Sequence, residues 1–173
     1  MDKHLVSVYG VVRAAAVAAV YVVLTLAFAP ISFGAMQVRI AEALTILPMF
    51  TPAAVPGLFV GCLLANILGG AVAPDIVFGS LATLIGAVGS RMLRNHRWLV
   101  PVPPIAANTL IIPFVLKYGY GVDMPVLLSA AYIAAGEIIG CGVLGEVLAS
   151  ALMKHRNLFE NHGTRTGNTG GNN

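Results

Sequence analysis

Gln37, Arg39 and Glu42 fall within six residues of one another, between two strongly apolar runs. Glu137 stands inside a later apolar run, and Asn66 and Asn108 stand inside two others. Guanidinium, carboxylate and carboxamide groups together can hold a small polar molecule through charge-assisted and amide hydrogen bonds. Arg39 and Glu42 are three positions apart, so they share a helix face or a cap; mutual pairing and contact with a ligand are both open to them. Glu137 is the sharper case. A carboxylate within an apolar helix costs about 2.5 to 3.5 kcal/mol on insertion scales, and such residues mark sites or pathways unless a structural hydrogen bond or snorkelling accounts for them. Asn66 and Asn108 either meet a ligand or join helices through their amides. Asp75, just before Ile76, reads as a helix N-cap. Glu146 reads as facing a partner or another helix.

Catalytic chemistry has little to work with. His4, His96, His155 and His162 all lie outside the apolar runs, and no serine, histidine and acid set falls on them. No Gly-rich loop ending in lysine is present, so ATP hydrolysis by this chain is not expected. Cys62 and Cys141 sit within apolar segments as small buried thiols, and no Cys/His cluster has metal-ligand spacing. Neither an enzyme nor a metal or cofactor is expected.

The elements that must position these groups are built for lipid. The chain is 58% apolar and 10% charged, with positive mean hydropathy, whereas soluble domains are about a quarter charged. Runs of about 20 apolar residues cross a bilayer as helices, so the reading is an all-α polytopic membrane protein. Six segments are expected, at residues 8–28, 40–50, 55–68, 76–93, 99–116 and 125–153. Pro30, Pro52, Pro56-Gly57, Gly69-Gly70, Pro74 and the prolines at 101, 103 and 104 punctuate them. Segments two and three are short, either tilted spans or a re-entrant hairpin buried by protein. Residues 1–159 read as one transmembrane domain and 160–173 as a disordered, Gly/Asn/Thr-rich cytoplasmic tail. The first run is longer than a signal-peptide core and is expected to stay uncleaved.

With the N-terminus inside, the cytoplasmic side receives eight basic residues, among them Arg13, Arg91, Arg94, Arg97 and Lys154; the other side receives Arg39 and Lys117. This asymmetry predicts cytoplasmic termini. It also accounts for the formal charge of +3 without nucleic acid. Gln37, Arg39, Glu42, Asn66, Asp75 and Asp123 then fall toward the outer half, around a polar cavity. In the first segment, Ala14/Ala18 and Ala15/Ala19 form small-residue faces. Such faces serve internal packing or docking on a separate membrane subunit.

Four stretches carry a resemblance. They are Pro30-Ile-Ser-Phe-Gly-Ala-Met-Gln-Val-Arg-Ile-Ala-Glu-Ala-Leu44, Pro56-Gly-Leu-Phe-Val-Gly-Cys-Leu-Leu-Ala-Asn66, Asp75-Ile-Val-Phe-Gly-Ser-Leu-Ala-Thr-Leu84 and Gly136-Glu137. Through them the chain resembles the QueT-type substrate-binding proteins, the S components of energy-coupling factor (ECF) transporters, over residues 8–152. The resemblance implies a six-helix S-component bundle in a prokaryotic cell membrane. It implies a transmembrane coupling subunit and two cytoplasmic ATPase subunits as partners, with Ala14, Ala15, Ala18 and Ala19 as the docking face. It implies uptake of a queuosine precursor, a 7-deazaguanine bearing a nitrile or an aminomethyl group. For such a base, Glu137 or Glu42 would accept from ring N–H and amine together. Arg39, Gln37, Asn66 or Asn108 would donate to the carbonyl, and Phe33 or Phe78 would stack or simply pack. A stand-alone carrier, an S component for another vitamin or nucleobase, and a membrane enzyme or assembly factor are the competing classes.

Overall fold

The computed structural model describes residues 8–32 and 39–154, and its regular elements over them are all helices. Gln37, Phe33 and the tail at 160–173 lie outside the described residues. The α-helices are α1 (Val8–Ala27), the single turn α2 (Ala29–Ser32), α3 (Ala54–Leu68), α4 (Ala73–Met92), α5 (Val102–Tyr118), α6 (Val126–Glu137) and α7 (Gly145–Lys154). A 3-10 helix, Ile40–Met49, precedes α3, and a shorter one, Arg97–Leu99, precedes α5. A π-helical stretch, Ile138–Leu144, joins α6 to α7 without a break in direction.

Among the described residues, four helical stretches are long and apolar enough to cross a membrane: Val8–Ala27, Ala73–Met92, Arg97–Tyr118 and Val126–Lys154. Their outer faces are apolar. Val11, Val23, Ile85, Leu110, Leu127 and Val147 are all more than half exposed, while Glu42, Asn66, Asp75 and Glu137 are at most 5% exposed. Lipid explains that inversion, because apolar side chains lose nothing there and polar ones must find partners inside. The chain is an all-α polytopic membrane protein.

Segments two and three are as short as expected. The 10-residue 3-10 helix, at about 2.0 Å rise per residue, covers about 20 Å. The 15 residues of α3 cover about 22 Å at about 1.5 Å each. The hydrocarbon core is about 30 Å thick. Segment two is enclosed by protein. It touches α1, α3, α4, α7 and the π stretch, and Ala41 through Ile46 are buried without interruption. A 3-10 run of this length is uncommon in isolation. Neighbours on every side supply the packing that its hydrogen-bond geometry does not.

Around it, α1 packs on α3, α3 on α4, α4 on α5 and α5 on α6. The α1–α3 seam is close. A methyl placed on Gly57 would lie 2.6 Å from the Ala14 carbonyl oxygen, and one on Gly61 would lie 3.0 Å from Ala18 Cα and 2.9 Å from Tyr21 Cβ. The Ala14/Ala18 face is therefore used inside the chain. Ala15 and Ala19 are exposed on the other side of α1.

Arginines gather at one end of the bundle. Arg13 and Arg94 border one cavity of about 680 Å³ with Met49, Phe50 and Met153. Arg91 donates to the carbonyls of Pro48 and Met49 at 3.0 and 3.3 Å. Arg97 pairs with Glu146 at 2.7 Å and reaches Ser150 at 2.6 Å. Glu146 thus faces the turn before α5.

The seam yields a stability prediction. Gly61→Val should cost about 1 to 3 kcal/mol through overpacking and lower the melting temperature in detergent. Gly142→Ala should be close to neutral, since the nearest atom to a methyl there is Ile138 Cγ2 at 3.8 Å. Equal melting of the two variants would contradict the close α1–α3 contact.

Candidate functional site

The 3-10 helix carries Glu42 and Thr45 into the middle of the bundle, with Arg39 at its N-terminal edge. Both carboxylate-bearing segments have tight neighbours. A methyl on Gly140 would lie 3.0 Å from the Arg39 carbonyl oxygen and 3.5 Å from Glu42 Cβ. The π stretch begins one residue after Glu137, and single π turns are frequent at functional sites. Here the stretch brings the backbone of α6 against segment two.

Two groups of contacts result. In the first, Tyr21 donates its hydroxyl to Glu42 Oε1 at 2.5 Å. Asn108 Nδ2 donates to Glu137 Oε1 at 2.9 Å. The Cys141 thiol donates to Glu137 Oε2 at 3.0 Å, and Thr45 Oγ1, which gives its proton to the Glu42 carbonyl at 2.6 Å, lies 3.4 Å from Cys141 Sγ. One ligand atom from each of Glu42, Glu137 and Cys141 lies within 4.8 Å of the others. In the second group, Arg39 Nη2 pairs with Asp75 Oδ2 at 3.5 Å. The Tyr120 hydroxyl donates to the same oxygen at 2.8 Å. Asn66 Nδ2 donates to the Asp75 backbone carbonyl at 3.2 Å. Cys62 Sγ receives Thr83 Oγ1 at 3.3 Å and lies 3.8 Å from Arg39 Nη1.

Of the residues expected from sequence, Arg39, Glu42, Asn66, Asn108 and Glu137 are brought into this buried interior. Phe78 is not. It is half-exposed and borders an apolar groove between α4 and α5 with Pro74, Leu110, Phe114 and Tyr118. Asp75 is no N-cap. Val72 holds that position, and Asp75, the third residue of α4, is fully buried with its side chain on Arg39 and Tyr120. Asp123 is exposed. Tyr21, Thr45, Cys62, Thr83, Tyr120 and Cys141 were missed, and a spacing signal existed for some. Thr45 follows Glu42 by three, Cys141 follows Glu137 by four, and Cys62 precedes Asn66 by four, so each shares a helix face with a residue already singled out.

The arrangement can hold a small polar molecule by direct hydrogen bonds in a dry setting, where each is worth more than in water. It can also hold a cation between Glu42 and Glu137. As a metal set, Glu42, Glu137 and Cys141 would require the thiol to surrender the proton it gives Glu137, since thiolate is the ligating form.

Comparison with known proteins agrees with a transport role. The profile of the QueT transporter family matches residues 11–154. A protein of Lactococcus lactis subsp. cremoris (strain MG1363), named Queuosine precursor transporter QueT, is 34% identical over 79 residues. That stretch covers 44% of this chain and 46% of the relative, so it spans under half of the relative's length. No solved structure gives a significant match.

Tyr120 offers a pH-dependent readout from the loop between two spans. Partial burial, its hydrogen bond to Asp75 and that carboxylate's charge push its phenol up to about 12. The folded chain holds this proton more tightly than the unfolded chain. Its contribution to stability is complete below the ordinary tyrosine value of about 10 and is lost as pH rises through about 12. Alkaline difference absorbance should show a late tyrosine step that Tyr120→Phe lacks and that Asp75→Asn moves part of the way down. Identical titration curves for wild type and Tyr120→Phe in that range would rule out the contact.

Proposed function

The chain belongs to the QueT transporter family, and on that premise we propose that it captures a queuosine precursor, a 7-deazaguanine derivative, and moves it across the membrane. It does so as the S component of an ECF-type importer. A transmembrane coupling subunit and two cytoplasmic ATPase subunits supply the energy, and the chain itself performs no catalysis.

The observation that carries this reading is the buried set of Arg39, Glu42, Asn66, Asp75, Asn108 and Glu137 within an apolar exterior. A base of this type presents a ring N–H and an exocyclic amine beside a carbonyl. Carboxylates match the first two as paired acceptors, and guanidinium or amide groups match the third. Gln37 and Phe33 stay in the proposal by sequence position alone. Phe78 packs on α5 and is no longer part of the proposal. The gathering of Arg13, Arg91, Arg94 and Arg97 at one end supports a cytoplasmic placement of that end and of both termini, in the cell membrane of a prokaryote. Of the four alanines of the expected docking face, Ala15 and Ala19 are the exposed pair and are the ones proposed to meet the coupling subunit.

Mass spectrometry of small molecules retained by the purified protein, followed by titration with the identified compound, tests the proposal. A retained 7-deazaguanine is expected, and Glu137→Gln should weaken its binding about 10- to 100-fold, the range for a hydrogen bond to a charged group. Retention of an unrelated vitamin, with no binding of any 7-deazaguanine, would replace this function with another.

A further inference from the structure

Three buried acceptor atoms of the polar network lack a hydrogen-bond partner among the described residues: Glu42 Oε2, Asn66 Oδ1 and Asp75 Oδ1. The Asn66 orientation is fixed by its neighbour, because the Asp75 backbone carbonyl can only accept and so must face Nδ2. Unsatisfied buried polar atoms are rare in folded proteins and cost about 1 to 3 kcal/mol each. What fills the site must therefore bring donors.

Charge points the same way. The network contains the carboxylates of Glu42, Asp75 and Glu137 and one guanidinium, Arg39, which pairs with Asp75 at 3.5 Å. Carboxyl groups held in a dry interior with one guanidinium among three either keep a proton or meet a further cation. Glu42 and Glu137 place ligand atoms within 4.8 Å of each other, a separation that one ammonium group can bridge with two of its three N–H bonds.

We infer that the site selects a donor-rich, cationic ligand, so that of the two 7-deazaguanine types the aminomethyl form, as its ammonium, is bound in preference to the nitrile. The inference rests on the function proposed above. The ammonium sits between Glu42 and Glu137 and donates to both. A nitrile nitrogen is an acceptor with no N–H, and in that place it would face carboxylate oxygens and leave Glu42 Oε2 unpaired.

Calorimetric titration of the purified full chain with 7-aminomethyl-7-deazaguanine and with 7-cyano-7-deazaguanine decides the matter. The aminomethyl compound should bind at least ~10-fold more tightly, the least expected of one hydrogen bond to a charged group. In Glu42→Gln and in Glu137→Gln that preference should shrink toward parity. The wild-type ratio alone decides the outcome should either variant fail to fold. Equal affinities, or tighter binding of the nitrile, would overturn the inference and leave the proposed function standing. Binding of neither would overturn both. A stoichiometric divalent metal in the purified protein, displaced by Glu137→Gln, would assign the gap between the two acids to that ion and would also overturn the inference.

Discussion

Glu42, Asp75 and Glu137 lie out of reach of solvent in a protein whose outer surface is apolar. Neither water outside the bundle nor lipid around it can satisfy them, so donors must come from within. Tyr21 on α1, Asn108 on α5 and Tyr120 on the loop after α5 each give a hydrogen bond to one of these acids. Each bond crosses between segments far apart in sequence. In a membrane, where apolar contact gives little drive for helices to associate, such polar links help to fix which helices meet. The acids are therefore structural constraints in their own right.

That constraint bears on the two longest departures from regular α-helix among the described residues. Segment two is a 3-10 helix and the last span contains a π stretch, and the two lie against each other. The first is narrower than an α-helix and the second wider, so their backbones can meet where two regular helices would hold their side chains apart. Glycine at position 140 permits the contact with the Arg39 carbonyl. Glu42 and Glu137 consequently arrive at the same place from opposite sides. Irregular backbone at this depth is tolerable because protein, not lipid, surrounds it.

The exterior of the molecule was more legible in the sequence than its interior. Apolar runs bounded by Pro30, Pro52 and Pro74 marked the helices to within a few residues, because length and breakers are local properties. The isolation of Glu137 in a long apolar run identified it as special for the same reason. Asp75 was misread because its position before Ile76 satisfied a local capping rule. Its partners, Arg39 and Tyr120, lie 36 and 45 positions away, and no local rule reaches them. Phe78 lies in a stretch that resembled a site segment, yet it is half-exposed and borders the α4–α5 groove, whereas Asp75, three residues earlier, is fully buried.

The first helix joins these themes. Tyr21 and Ala18 face the core, Tyr21 toward Glu42 and Ala18 toward Gly61, whereas Ala15 and Ala19 face outward. One small-residue face holds the helix to α3 without bulky side chains. The other remains smooth enough for a second helix to approach its backbone. Because α1 is mostly exposed, with 17% of its spanning window buried, its place depends heavily on the α3 seam and on the Tyr21–Glu42 hydrogen bond. Any subunit that docks on Ala15 and Ala19 therefore touches the helix that supplies a donor to the buried acids. The outward alanines and Glu42 are separated by the thickness of one helix, so a shift of α1 would alter the hydrogen bonding of Glu42 directly, with no chain of intermediates needed to carry it.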